Sequence, residues 1–228
     1  MSRDFGYGEF VFVLLALRWT LLLALVAFAV GMAGGLAIAL LRTARSRLWR
    51  GLAIGYIQFF QGTPVLMQLF FFYYGLALLF AIRLDPWPAV TLAFACYAAA
   101  FLGEIWRAAI QAIGRGQWDA AQSLALGRWT TLRKIILPQA MRIAIPSTVG
   151  FLVQLVKSTS VAALIGFIEV TRAGQLMVNV TFQPLRVFPV IALLYFALCW
   201  PLSALSRRLE RRLDKRIGGG GLGGGWAA

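Results

Sequence analysis

The sequence predicts an all-α integral membrane protein of about five transmembrane helices, and three features carry that expectation. Hydrophobic residues make up 61% of the chain and its mean hydropathy is +0.78, beyond the range of soluble domains, whose apolar fraction is nearer half. Long charge-free runs recur, and since a helix needs about 20 apolar residues to cross a roughly 30 Å hydrocarbon core, around five crossings fit and no separate soluble domain does. The formal charge of +14 lies between these runs rather than over a water-facing surface, which argues against a nucleic-acid partner. Arg42, Arg45, Arg47 and Arg50 follow the first run; Arg115, Arg128, Arg133, Lys134 and Arg142 fill a central loop; Arg207, Arg208, Arg211, Arg212, Lys215 and Arg216 follow the last. The positive-inside rule makes all three regions cytoplasmic. An odd number of spans then puts the N-terminus outside and the C-terminus inside.

The first span is expected over Trp19 to Leu41, with Gly31, Gly34 and Gly35 offering the small surfaces that let membrane helices approach closely. Phe10 to Arg18 reads as a short amphipathic lead-in on the outer surface. The segment from Met1 to Phe10 carries Asp4 and Glu9 and lacks the features of a cleavable signal. The next charge-free run, Gly51 to Ile82, is too long for one straight crossing and contains Gln58, Gln61, Gly62, Thr63, Pro64 and Gln68. A kinked span, or one preceded by a short in-plane helix, is expected; a broken helix at membrane depth survives only where its freed backbone groups face protein or a wet cavity. That kink serves either packing or a solute pathway.

After an outer turn at Arg83-Leu84-Asp85-Pro86, the third span runs from Trp87 to about Ala109. Glu104 and Arg107 at its inner end stand one turn apart and can pair without further function. The fourth span is expected from Ile143 to Phe167, with Pro146 in its first turn and Lys157 near its middle. A lysine at that depth needs a partner, such as Glu104, or a water-filled cavity. Glu169, Arg172 and Arg186 are assigned to an outer loop, and Val187 to Ser206 forms the fifth span. Residues 1–217 thus form one transmembrane domain, and 218–228 a flexible glycine-rich tail. Cys96 and Cys199 fall inside apolar runs as small buried hydrophobes, and the absence of histidine rules out a His-dependent triad or a His-rich metal site.

The central loop, about 110–142, holds two helical patterns divided by Gly127. Ala121, Leu124 and Ala125 share one face of the first, a low-relief apolar patch suited to a cleft on another protein, and Asp119 near its start suits the helix dipole. Gly127 is expected to adopt the left-handed conformation that ends this helix. Trp129, Leu132 and Ile136 form the apolar face of the second, against Arg128, Thr131, Arg133 and Lys134, as for a helix at the inner leaflet; Pro138 is expected to break it before re-entry.

Several segments occur in a telling order: Gln61-Gly62-Thr63-Pro64 with Gln68-Leu69; Glu104-Ile105-Trp106-Arg107 through Gly116-Gln117; Asp119-Ala120-Ala121 with Leu124, Gly127 and Leu137-Pro138; Lys157-Ser158-Thr159-Ser160 with Ile165-Gly166; and Glu169-Val170-Thr171-Arg172-Ala173-Gly174. Together they resemble the membrane-spanning permease subunit of bacterial ABC importers for polar amino acids, of the type I architecture, over the whole chain except its tail. Gln61 departs from the family's arginine, and Asp119 stands where glutamate is commonest.

The resemblance implies a subunit of the bacterial cytoplasmic membrane that pairs with a second copy or a paralogue to form a pore. An ATPase pair carrying ATP and Mg sits beneath it, a solute-binding protein docks outside, and membrane lipid surrounds it. It assigns ATPase coupling to Asp119, Ala120, Ala121, Leu124, Ala125 and Gly127. Thr63, Glu104, Lys157, Ser158, Thr159 and Ser160 are the pathway candidates, with Lys157 suited to a solute carboxylate and Glu104 to an amine. This chain has no Gly-rich phosphate loop ending in Gly-Lys-Ser/Thr and is expected to be non-catalytic, with no cofactor or metal of its own. Within the family, an opine, an ectoine-like compound or a sulfur-containing amino acid would fit as solute. A passive channel also needs polar groups in a bundle but gains nothing from a patterned docking helix, and no residue set forms a motif for a membrane-embedded enzyme.

Overall fold

The computed structural model describes residues 4–43 and 46–218. Among them are eight helices: α1 (Tyr7–Arg42), α2 (Arg47–Gly62), α3 (Val65–Phe80), α4 (Pro86–Gln111), α5 (Arg115–Ser123), α6 (Arg128–Ile165), α7 (Val170–Thr181) and α8 (Pro184–Gly218). Helices α1, α4, α6 and α8 are long and apolar enough to cross a membrane. Helices α2 and α3 meet at 106° and qualify together as a broken fifth span. The expected break falls at Thr63 and Pro64, both extended, since proline disfavours a helical residue before it. Most of the expected tail, from residue 219 on, lies outside the described residues, and Gly218 itself closes α8.

Four boundaries differ from expectation, each for a local reason. No separate lead-in precedes the first span: α1 is continuous from Tyr7, and Val13 and Ala16 are buried against Val170, Ala173, Val187 and Ile191 of α7 and α8. At about 1.5 Å per residue α1 is roughly 54 Å long and extends well past the hydrocarbon core. Pro138 does not break the second loop helix, because a π turn over Leu132–Ile136 absorbs the missing donor and α6 continues. Pro146 accordingly sits inside α6 rather than at its start, and its carbonyl accepts the Ser206 hydroxyl at 2.8 Å. Lys157 then falls near the far end of α6, just before a 3₁₀ turn over Thr159–Ile165, rather than mid-span. The segment assigned to an outer loop contains α7, with Arg186 in the first turn of α8.

The core is built on the seam between α1 and α4. Gly31 and Gly35 lie against Ala98, Ala99 and Leu102, and Gly103 answers with its bare face to Ile38. These small residues bring the helix backbones together as membrane interfaces require. Around the seam Leu23, Leu69, Phe94, Leu102, Phe151, Leu155 and Ala162 join α1, α3, α4 and α6 in one apolar cluster. A second cluster of Ala109, Ile113, Ile136, Ala140 and Ala144 ties the last turn of α4 to the start of α6. Helix α8 is the least enclosed of the four continuous spans.

Candidate functional site

Helix α5 projects from the junction of α4 and α6. It starts at Gly114 and ends in a Schellman motif: Leu126 N–H donates to the Ala121 carbonyl at 3.1 Å and Ala125 takes the left-handed conformation at φ 52°. This corrects the assignment of the turn to Gly127, which is extended at φ −60° and starts α6, its carbonyl accepting Thr131 N–H at 3.0 Å and the Thr131 hydroxyl at 3.2 Å. Asp119 lies in the middle of α5 rather than near its start, because the helix begins earlier, at Arg115.

Nor do Ala121, Leu124 and Ala125 form one outward patch. Ala121 is 1% exposed, whereas Leu124 is 73% exposed at the tip and Asp119, Ala120 and Ala125 are open. Trp118 packs into the α4–α6 cluster and Gln139 donates to the Gln117 side chain at 3.3 Å, so α5 is anchored on its inner face. In α6 the faces also differ from the pattern: Thr131 is buried through its bonds to Gly127, while Trp129 is 70% exposed. The π turn over Leu132–Ile136 shifts the register between Trp129 and Ile136, so the buried Ile136 does not share the face of Trp129.

The pathway candidates divide into three places. Thr63 sits in the break between α2 and α3; its hydroxyl donates to the Phe59 carbonyl at 2.7 Å and accepts from Gln68 at 2.9 Å. Glu104 pairs with Arg107 and, across the seam, with Arg42 at 3.8 Å. Arg107 also reaches Gln111. Glu104 is therefore not the partner of Lys157. The Ser158, Thr159 and Ser160 hydroxyls donate back to the Gln154, Val156 and Lys157 carbonyls at 3.0, 2.7 and 2.8 Å, and Ser158 and Thr159 are buried.

Lys157 alone of that tetrad opens outward, into a cleft of about 440 Å³ shared with Tyr195, Trp200, Ser203 and Arg207 of α8. Helices α6 and α8 run antiparallel, since Ser206 meets Pro146 while Cys199 meets Val153 and Val156. Side chains lean toward the N-terminus of their own helix, so Lys157 and Arg207 incline toward each other from opposite ends of the cleft. A cleft lined by two cations suits a carboxylate.

Two residues quoted in the motifs, Glu169 and Gln68, have structural roles that the sequence did not reveal. Glu169, in the link between α6 and α7, is fully buried and caps α7: its carboxylate accepts Thr171 N–H and Arg172 N–H, each at 2.8 Å, and the Tyr195 hydroxyl at 2.6 Å. Burial pushes its carboxyl up, against the pull of those donors. Val170 N–H donates to Thr20 beside it at 3.2 Å, so α1, α8 and the start of α7 come together around this carboxylate. A glutamate closing an apolar run was the available signal; its burial was not visible. Gln68, 4% exposed, spans the α2–α3 break with a side-chain amide that donates to the Phe60 and Thr63 carbonyls at 2.8 and 3.1 Å. Its signal was the spacing of Phe60, Pro64 and Gln68.

Residues 31–219 match the family described as binding-protein-dependent transport system inner membrane component. The glutamine transport system permease protein GlnP of Escherichia coli (strain K12) is 35% identical over 188 residues, covering 80% of this chain and 86% of that protein. The L-cystine transport system permease protein TcyB of Bacillus subtilis (strain 168) is 34% identical over 200 residues, covering 87% and 85%. A chain of the crystal structure of an amino acid ABC transporter with histidines aligns with a TM-score of 0.84 at 32% identity, covering 88% of this chain and 94% of that one. A chain of the inward-facing MetNI methionine ABC transporter, 17% identical with a TM-score of 0.71 over 90% of this chain and 99% of that one, shares the fold.

Proposed function

Because the chain belongs to the family of binding-protein-dependent transport system inner membrane components, we propose that it is one half of the pore of an ATP-driven importer for a polar amino acid. The observation that carries the coupling role is the placement of α5: an exposed short helix anchored on both an outgoing and a returning span. A push on Leu124 and Ala120 is transmitted through Trp118 and Gln117 to the inner ends of α4 and α6 together, and packed elements of this kind move as bodies rather than deform. ATP and Mg belong to the partner ATPase, and this chain supplies the pathway. A second permease copy or paralogue completes the pore, and an extracytoplasmic binding protein delivers the solute.

With the basic segments inside, the N-terminus faces out and the C-terminus the cytoplasm. Helix α5 is then on the ATPase side. The cleft holding Lys157 and Arg207 supports contact with a solute carboxylate, whereas the two guanidiniums around Glu104 favour a structural role there. The reading is tested in proteoliposomes holding this subunit with its ATPase and binding protein. Uptake of labelled glutamine, cystine or another polar amino acid should require ATP and fall with Lys157→Ala. ATP-independent flux through the permease alone would instead establish a passive channel.

A further inference from the structure

The break between α2 and α3 leaves a specific hydrogen-bond deficit. In an uninterrupted helix the carbonyl of Phe60 would accept from the backbone N–H of residue 64, but residue 64 is proline and has none. Phe59 keeps its partner, Thr63 N–H at 3.1 Å, so the deficit begins at Phe60. The Thr63 carbonyl lies beyond the last helical bond and is a second orphan. Both carbonyls are answered by one group, the Gln68 amide nitrogen, which also reaches the Thr63 hydroxyl. The amide nitrogen is assigned to this side because turning the oxygen toward the two carbonyls would face acceptor with acceptor; its two hydrogens are shared among the two carbonyls and the Thr63 hydroxyl, and Oε1 is left buried without a partner among the described residues.

We infer that Gln68 is the positioning residue of the broken span, its side-chain amide supplying the donor that Pro64 lacks and thereby holding α2 and α3 at their 106° angle. The chain around it makes this a matter of transport geometry. Val65 and Leu69, flanking Gln68 on α3, pack in the same cluster as Ala162 and Ile165, in the 3₁₀ turn that follows Lys157 and Ser158. A change in the angle therefore displaces the segment next to the proposed solute cleft. The inference concerns the bend itself and stands whichever solute is carried.

The test is a double-variant cycle with Gln68→Met, which keeps the length of the side chain and removes the donor, and Pro64→Ala, which restores a backbone N–H at position 64. Spin labels placed at Leu48 and Leu78, both exposed, in a Cys96→Ala/Cys199→Ala background report the angle in the assembled transporter. With about 20 Å of helix on each side, each 10° of opening lengthens the separation by about 3 Å. In the Pro64 background, Gln68→Met should broaden the distance distribution and lower the equilibrium constant for the intact bend roughly ten- to hundredfold. Solute taken up per ATP hydrolysed, a ratio insensitive to the amount of folded protein, should fall with it. Because Thr63 is extended, the new N–H reaches the Phe60 carbonyl only if Thr63 turns helical, so Pro64→Ala should itself lengthen the Leu48–Leu78 separation, and in that background Gln68→Met should change neither readout further. An equal effect of Gln68→Met in both backgrounds, or none in either, overturns the inference. Should Gln68→Met fail to insert into the membrane, the double variant must insert as well as Pro64→Ala alone, and failure of that recovery also overturns it.

Discussion

Substituting Gly35 by alanine puts the packing of the α1–α4 seam to a direct test. A Cβ at position 35 would stand 2.9 Å from the Leu102 Cβ, 3.1 Å from the Gly103 nitrogen and 3.3 Å from the Ala99 carbonyl oxygen. All three are inside ordinary van der Waals contact, and none is the tip of a side chain that could swing aside. Relief requires the two helices to part, which loosens the Gly31–Ala98 and Gly103–Ile38 contacts along the same seam. Overpacking of this kind costs about 1–3 kcal/mol, and the helical preference of alanine over glycine returns about 0.5–1 kcal/mol. The net loss is about 1–2 kcal/mol, a drop in Tm of about 2–8 °C for a chain of this size. Gly8→Ala is the control, since nothing lies within 4 Å of its Cβ and it belongs to the same helix. Thermal unfolding of the purified protein in mild detergent measures both. If Gly35→Ala unfolds at the temperature of Gly8→Ala, the seam does not hold the helices in the contact described.

The other predictions address helix α5, the buried carboxylate and the cleft. Leu124→Glu places a charge on the exposed tip of α5 and should abolish copurification of the ATPase while leaving Tm unchanged, because the side chain touches nothing in this chain that it would strand. At Ala125, whose φ is 52°, glycine should stabilise by about 1 kcal/mol and valine should destabilise by at least that amount, read from Tm and from hydrogen exchange in α5. Glu169→Ala strands three donors at the head of α7 and should cost about 2–4 kcal/mol, with the largest loss of exchange protection in Val170–Thr181. Lys157→Ala should reduce solute-stimulated ATPase activity severalfold without altering basal hydrolysis, and Lys157→Arg should retain most of the stimulation.

The legible part of the fold follows from chemistry that acts at short range along the chain. Charge-free length set the number of spans, Pro64 and the polar residues around it marked the broken span, and the glycines of Gly31 to Gly35 announced a close helix contact, all of which α1 to α4 display. The Glu104–Arg107 pair was readable for the same reason, being a matter of one helical turn. The family resemblance rested on short motifs between Gln61 and Gly174, all of them inside the residues 31–219 that match the family.

What escaped depended either on how the backbone closes its local hydrogen bonds or on partners distant in sequence. A glycine and a proline in the loop looked like its turn and its stop, yet Ala125 makes the turn because Leu126 N–H can close on Ala121 only with that residue left-handed, and a π turn carries α6 past Pro138. The lead-in could not be told from a span, since only α7 and α8 bury Val13 and Ala16. Glu169 looked like an outer-loop charge and is the buried meeting point of Tyr195 and two backbone donors.

By itself, the sequence determined that this chain is a multi-pass membrane protein, that it carries four or five apolar spans and where one of them breaks, because apolar length and proline act locally against lipid. Only the tertiary structure decided which polar groups are spent inside the fold and which remain for a partner: Glu104 and the three hydroxyls after Lys157 are already satisfied, while Lys157 and Leu124 stay open. The reason is that satisfaction of a polar group is a property of the distance between helices, and no single segment contains that distance.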